Sequence, residues 1–318
     1  MLFFSVDGAV PDAYRRHLPP GWTFTTLRSR TDEQDVLRQL ADVDVLVHAD
    51  VPITRSHLAA AGRLGLVQRQ GVGVDAVDRA ALREHGVALA VCPHGSAEAV
   101  AEHALLLTLA AGRHLVQLHE DVVRLGTWPK WEYRQRSLGL HGAVFGVVGF
   151  GRIGQATARL ALAFGSSVLV HRRRPGALGE PWAHQPVELA DDLDDLFSRA
   201  DVVSLHCPLL EANRGMVDAR RLALMRPGSV LVNTARGALV VEDDLVDALR
   251  AGRPAAAGLD VLVDEPPSPD NPLLSLPNVV LTPHCAAGNR DTVVRKVEAV
   301  IANIDRWWTG QPLEDQVL

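Results

Sequence analysis

The run Gly149-Phe150-Gly151-Arg152-Ile153-Gly154 follows the apolar stretch Val144 to Val148 and opens a helical pattern through Ala156, Leu160, Ala161 and Phe164. Glycine-rich turns are common, so the GxGxxG spacing alone says little. Between a strand and a helix each glycine has a use: a tight turn, close approach of a pyrophosphate to the backbone, and tight packing of helix on strand. The free amides and positive dipole end of the helix then hold the diphosphate. A dinucleotide site is therefore expected at Gly149, Gly151, Arg152, Ile153 and Gly154.

The end of the next strand, about twenty residues on, is where an acidic side chain ordinarily takes the ribose of NAD. Here the chain reads Val170-His171-Arg172-Arg173-Arg174, with no carboxylate. Guanidinium groups suit a 2'-phosphate because they present several fixed donors to its oxygens. A charge run is usually just a solvated loop, but this one stands at the strand end. His171, Arg172 and Arg173 are therefore expected to favour NADPH, with NADH still possible.

Ligands of open parallel sheets bind beyond the carboxyl ends of the strands. Cys207-Pro208, Asn233-Thr234-Ala235-Arg236, Asp260 and Pro283-His284 all follow apolar runs there. Arg236 has the chemistry to grip a carboxylate with two donors and polarise a neighbouring carbonyl. Spacing alone equally allows a surface arginine in a helix-end ion pair. His284, with Glu265 available as a partner, has the chemistry of a general acid and base near neutral pH. His103, His114 and His119 read as solvated or capping residues on a helix. Cys92, Cys207 and Cys285 are far apart and form no CxxC, so neither a disulfide nor a metal site is expected.

Positioning these groups requires a parallel sheet. Apolar runs at Leu2 to Val6, Val43 to His48, Leu64 to Gln68 and Val87 to Val91 alternate with helical stretches, and one long helix is expected from Ala97 to Arg124. Six further runs follow: Val144 to Val148, Ser167 to Val170, Val202 to Leu205, Ser229 to Val232, Ala256 to Leu259 and Val279 to Leu281. Six strands with mostly helical connections match a doubly wound dinucleotide-binding sheet. The helical stretch Asn289 to Thr309 is too short to be a domain and is expected to pack back on the first. The 318 residues exceed one ordinary core. The predicted fold is thus α/β, with two doubly wound parallel-sheet domains: a Rossmann domain (99–285) inserted into a discontinuous, flavodoxin-like substrate domain (1–98 plus 286–318).

The net charge of −6 gives no general attraction to nucleic acid or to anionic membranes. No apolar run approaches the roughly 18 residues of a membrane span, and Met1 to Val10 lacks a basic region followed by an apolar core. A cytoplasmic protein is expected.

Taken together, several motifs in order resemble the D-isomer specific 2-hydroxyacid dehydrogenases over nearly the whole chain. They are Gly71-Val72-Gly73-Val74-Asp75, Ala99-Val100-Ala101-Glu102-His103, the glycine turn, Asn233-Thr234-Ala235-Arg236-Gly237, Gly258-Leu259-Asp260-Val261, Glu265-Pro266 and Pro283-His284. The resemblance implies that Arg236 binds and polarises a 2-oxo acid, His284 exchanges the proton, and Glu265 orients His284 and favours its protonated form. Val72 and Gly73 would offer amides to the substrate carboxylate. Thr234, Ala235 and Asp260 would face the nicotinamide end of the cofactor, and Cys207, Pro208 and Asn213 the adenine half. A homodimer is implied, with the long helix and Gly126 to Leu140 as its candidate interface.

The sequence departs from the family's common pattern at the basic strand end, as NADP-linked glyoxylate and hydroxypyruvate reductases do, and at Cys92-Pro93-His94-Gly95-Ser96. His94 reads as an ordinary loop histidine. Phosphite enzymes on the same scaffold carry lysine where this chain has Val72, and formate enzymes carry glutamine where it has Glu265; both differences argue against those activities. A nicotinamide-sensing corepressor keeps the same residues and stays open as an alternative. It would bind the cofactor without turnover.

Overall fold

The structure is a computed structural model and describes residues 1–5, 9–29, 31–49, 51–173, 176 and 178–318. Arg174, the last member of the basic run, lies outside the described residues. The chain divides into two compact units, Met1–Ser96 with Gly288–Leu318, and Ala97–Ala287. Each crossing falls two residues from the boundaries expected at 98/99 and 285/286.

Among the described residues the first unit holds five parallel strands, Leu2–Phe4 (β1), Thr25–Thr26 (β2), Val45–His48 (β3), Leu66–Arg69 (β4) and Ala88–Ala90 (β5), in the order β2-β1-β3-β4-β5. Successive side chains on a strand point to opposite faces. Leu2, Phe4, Leu46 and Val67 accordingly enter one core with Val36, Leu40 and Leu82, while Phe3, Val45, Val47 and Leu66 enter another with Tyr14, Val297 and Val300. Apolar burial on both faces is what a parallel sheet covered by helices demands. The helix Arg290–Trp308 covers part of the second face, and its start is fixed by Asn289, whose side chain accepts from the Thr292 amide at 2.9 Å.

Among the described residues the second unit holds seven parallel strands, Val144–Val148 (β6), Ser167–His171 (β7), Val187–Leu189 (β8), Val202–Leu205 (β9), Val230–Asn233 (β10), Ala256–Leu259 (β11) and Val279–Leu281 (β12). Their order is β12-β11-β10-β9-β6-β7-β8. The direction of winding reverses at β6, so the ligand crevice of such a sheet lies beyond the carboxyl ends of β6 and β9. Register makes this concrete. Val148 pairs with Leu205, Leu205 with Asn233, Asn233 with Leu259 and Leu259 with Leu281. The residues that follow these five, Gly149, His206, Thr234, Asp260 and Thr282, therefore form one row along a single edge.

The structure corrects two expectations. The long helix is two helices, Ser96–Gly112 and Leu115–Val123, separated where His114 adopts a left-handed φ of 54°. Gly112 is the readable stop signal: its carbonyl accepts from the Leu138 amide at 2.8 Å instead of continuing the helix. The sheet also has a seventh strand, β8, which like β2 is a short edge strand without a continuous apolar run. Among the described residues no helix is long and apolar enough to cross a membrane.

Candidate active site

At the glycine turn, two of the three glycines are required by the protein itself. Gly149 has φ +95°, and a Cβ there would lie 2.7 Å from the His206 carbonyl oxygen; at Gly154 it would lie 2.0 Å from the Gly149 oxygen. Around Gly151, by contrast, a Cβ would meet nothing within 4 Å. Gly151 is the N-cap of the helix Arg152–Ala163, and no side chain caps the helix start. Open space at Gly151 beside uncapped amides fits a pyrophosphate. Two orphaned polar atoms point the same way: His206 Nδ1 and Thr234 Oγ1 are buried on the same edge with no hydrogen-bond partner. Burial lowers the His206 pKa to about 3, so its ring is neutral, and Nε2 pairs with Ser204 Oγ at 2.8 Å. These residues fit a dinucleotide.

The remaining expected cofactor contacts are placed as follows. Arg152 is exposed and Ile153 half-buried at the helix start. His171 ends β7, where burial lowers its pKa below the usual 6.5. Arg172 donates from Nη2 to the Gly176 carbonyl at 2.6 Å, and Arg173 is exposed. Asn213 spans its own loop, donating to the Pro208 carbonyl at 2.8 Å and accepting from the Leu210 amide at 2.7 Å, with its amide nitrogen 3.8 Å from Cys207 Sγ. Burial pushes the Cys207 thiol up to about 11, so it stays protonated. The Ala235 amide donates to Asn233 Oδ1 at 3.0 Å.

Arg236 follows β10. Its Nη1 donates to the Ala235 carbonyl at 2.7 Å, and the next residue, Gly237, sits where a Cβ would lie 2.0 Å from the carbonyl carbon of Leu262. That contact brings the Arg236 turn against the segment leading to Glu265. Glu265 accepts from the Leu262 amide at 3.1 Å through Oε1, and its Oε2 lies 2.7 Å from His284 Nδ1. Burial pushes the Glu265 carboxyl up, but the hydrogen bond and charge of His284, the Leu262 amide and the charge of Arg236 outweigh it, and the pKa ends below 4.5. Glu265 is thus a carboxylate near neutral pH and His284 Nδ1 carries the proton toward it. Nε2, the other ring nitrogen, is left for chemistry.

His284 itself has φ 51°, a left-handed conformation that a histidine holds only where the surroundings impose it. The imposing group is Asp260. Its backbone oxygen accepts from the His284 amide at 2.8 Å, and its carboxylate, 1% exposed as a residue, accepts from Thr282 Oγ1 at 2.6 Å and from the amides of Cys285 and Ala286 at 2.9 Å each. His103 Nε2 stands 2.9 Å from Thr282 Oγ1. The single hydroxyl proton of Thr282 goes to Asp260, so His103 donates to Thr282. Only 15% of the His103 side chain is exposed, which corrects the reading of this histidine as solvated or capping. His103 lies one turn from Ala99 and from Leu107 on the buried stripe of its helix, and that phase is legible in the sequence. Thr282 is not among the expected site residues; its signal is its place in the edge row beside Asp260.

In the first unit, Val72 is 49% exposed on the loop after β4, and Arg69 donates to the Gly73 carbonyl at 2.9 Å. His94 is half exposed, 3.8 Å from Asp315. His114 Nε2 lies 3.4 Å from the Arg136 carbonyl, and His119 is exposed.

The sequence profile of the D-isomer specific 2-hydroxyacid dehydrogenase family, NAD binding domain, matches residues 105–286. A hydroxypyruvate reductase of Blautia hydrogenotrophica is 35% identical over 289 residues, 90% of this chain and 88% of the relative. A D-3-phosphoglycerate dehydrogenase of Methanocaldococcus jannaschii is 36% identical over 90% of this chain, which spans only 53% of that longer protein. Among solved structures, the TT0316 protein of Thermus thermophilus has a TM-score of 0.86 and 35% identity, covering 100% of this chain and 99% of its own. A fold in two parallel-sheet units, a phosphate-binding turn at the winding reversal and these likenesses agree: the chain belongs to the D-isomer specific 2-hydroxyacid dehydrogenases, oxidoreductases that use a nicotinamide dinucleotide.

Proposed function

We propose that the chain reduces a small 2-oxo acid, of glyoxylate or hydroxypyruvate size, to the D-2-hydroxy acid with NADPH in the cytoplasm. The observation that carries the reading is the His284–Glu265 pair at 2.7 Å, with Arg236 close enough to act on the same carboxylate. The hydroxypyruvate reductase relative supports the substrate class. When bound, the reduced nicotinamide supplies a hydride to the keto carbon. Arg236 binds the carboxylate of the 2-oxo acid and offsets the charge growing on the carbonyl oxygen. His284 delivers a proton from Nε2 to that oxygen, while Glu265 holds the Nδ1 proton and so fixes the ring. Oxidation of the hydroxy acid reverses these roles. Steady-state kinetics over a panel of 2-oxo acids with each cofactor test the reading. Tight NADPH binding with no turnover on any of them overturns it in favour of a sensor.

The preference for NADPH rests on the strand end His171, Arg172 and Arg173. Arg172→Asp should shift the ratio of kcat/KM for NADPH over NADH toward NADH by about tenfold or more, since an acid repels the 2'-phosphate and accepts from the ribose hydroxyls. An unmoved ratio means these residues do not read the phosphate.

The chain is further proposed to form a homodimer. No residue of the helix Leu115–Val123 is buried, and Leu115, Val116, Val122 and Val123 are exposed on it, followed by Leu125, Trp128 and Trp131. So much contiguous apolar surface marks a protein contact. Val123→Lys combined with Trp128→Lys should move the sedimentation coefficient from dimer to monomer. A wild type that sediments as a monomer removes the proposal.

A further inference from the structure

Cys285 directly follows His284 and has no part in the reaction derived above. Its thiol, the Nε2 of His103 and a carboxylate oxygen of Asp260 all lie within 4.8 Å of one another, with His103 and Asp260 3.5 Å apart. The three come from the helix Ser96–Gly112, the end of β11 and the loop after β12, so no CxxC-type spacing announces them. Imidazole, carboxylate and thiolate are the donor set of a borderline-soft divalent ion, and tetrahedral ligands stand a little closer together than these do. His103 and Asp260 are already held in place by Thr282, while Cys285 is exposed, so the cluster has fixed donors on one side and an open side toward solvent.

We propose that His103, Asp260 and Cys285 form a three-ligand site for Zn2+ or a similar ion, and that its occupancy inhibits the enzyme reversibly. Binding breaks the S–H bond of Cys285, releases that proton to solvent and forms a sulfur–metal bond; no electron is transferred. The Nε2 proton of His103 moves through solvent to Nδ1, which frees the Nε2 lone pair. A solvent molecule takes the fourth position. Inhibition follows from the geometry of the loop. The oxygen of Asp260 that would turn to the ion is the one bonded to Thr282 and to the Cys285 amide, and the Asp260 backbone holds the His284 amide. Drawing Cys285 toward Asp260 and His103 therefore moves its neighbour His284 off the Glu265 carboxylate.

Metal binding stands on these three residues alone; the effect on turnover rests on the reductase reading of the same site. The test is run on the NADPH-loaded protein. With excess free Zn2+ the wild type should lose turnover by about tenfold or more, EDTA should restore it, and Cys285→Ala, unaltered in its metal-free rate, should need about 10- to 100-fold more Zn2+. Co2+ should give thiolate-to-metal charge-transfer absorption with the wild type and none with Cys285→Ala. No such absorption in the wild type, or equal Zn2+ sensitivity in the variant, overturns the proposal. Charge-transfer absorption in a protein that turns over no 2-oxo acid keeps the metal site and removes the reductase reading.

Discussion

Replacing His284 by asparagine should lower kcat by about two to four orders of magnitude while leaving the Kd for NADPH within about twofold, because only proton transfer is removed. Asparagine is the informative substitution. Residue 284 sits at φ 51°, and asparagine tolerates the left-handed region better than most residues, so the amide bond to the Asp260 carbonyl at 2.8 Å can persist. An alanine there would mix backbone strain with lost chemistry. Stopped-flow measurement of NADPH oxidation separates the chemical step from release, and an unchanged rate constant for that step would remove His284 from the mechanism.

The pH dependence follows from the partner. Glu265 has a folded-state pKa below the ordinary 4.5, so its pairing with His284 is present above that value and is lost as pH falls through the lower, folded one. Acidification to about pH 5 should therefore leave the pair intact. The reduction rate should fall with acid only below about pH 4.5, where Glu265 itself takes up a proton. An acid limb of the reduction rate that begins well above pH 4.5 would mean that another group is being titrated.

Much of this site is legible in the sequence because it depends on local patterns. A glycine turn between an apolar run and a helix needs no tertiary information, and Arg236 and His284 follow apolar runs that end at the sheet edge. The edge row itself comes from register, which a sequence does not display: Asp260 reads as one more polar residue after a strand, yet its carboxylate holds the backbone that carries His284. Thr282 and His103 escape for the same reason, being 179 residues apart in the chain and 2.9 Å apart in the fold. The short edge strands Thr25–Thr26 and Val187–Leu189 are hidden because one sheet neighbour demands little apolar surface. The helix break at His114 is hidden because apolar periodicity continues past Gly112, through Leu115, on a helix that buries none of its residues.

Arg236→Lys should lower kcat/KM for the 2-oxo acid by about 10²- to 10³-fold, although the charge is kept. A guanidinium has five donors in a fixed plane. Here Nη1 is committed to the Ala235 carbonyl at 2.7 Å, which sets the orientation of the group, and a five-donor plane can keep that bond while it grips a carboxylate. A lysine ammonium at the end of a flexible stem has to choose between the Ala235 carbonyl and the substrate. Its charge remains, so the Glu265 carboxyl should stay depressed and the His284 pair intact. The loss should therefore appear in both KM for the 2-oxo acid and kcat, with the Kd for NADPH unchanged. Arg236→Ala should cost more than Arg236→Lys, and added guanidinium ion should recover part of its activity. If lysine matches arginine in kcat/KM, position 236 supplies only charge, and the planar two-point grip on the substrate is wrong.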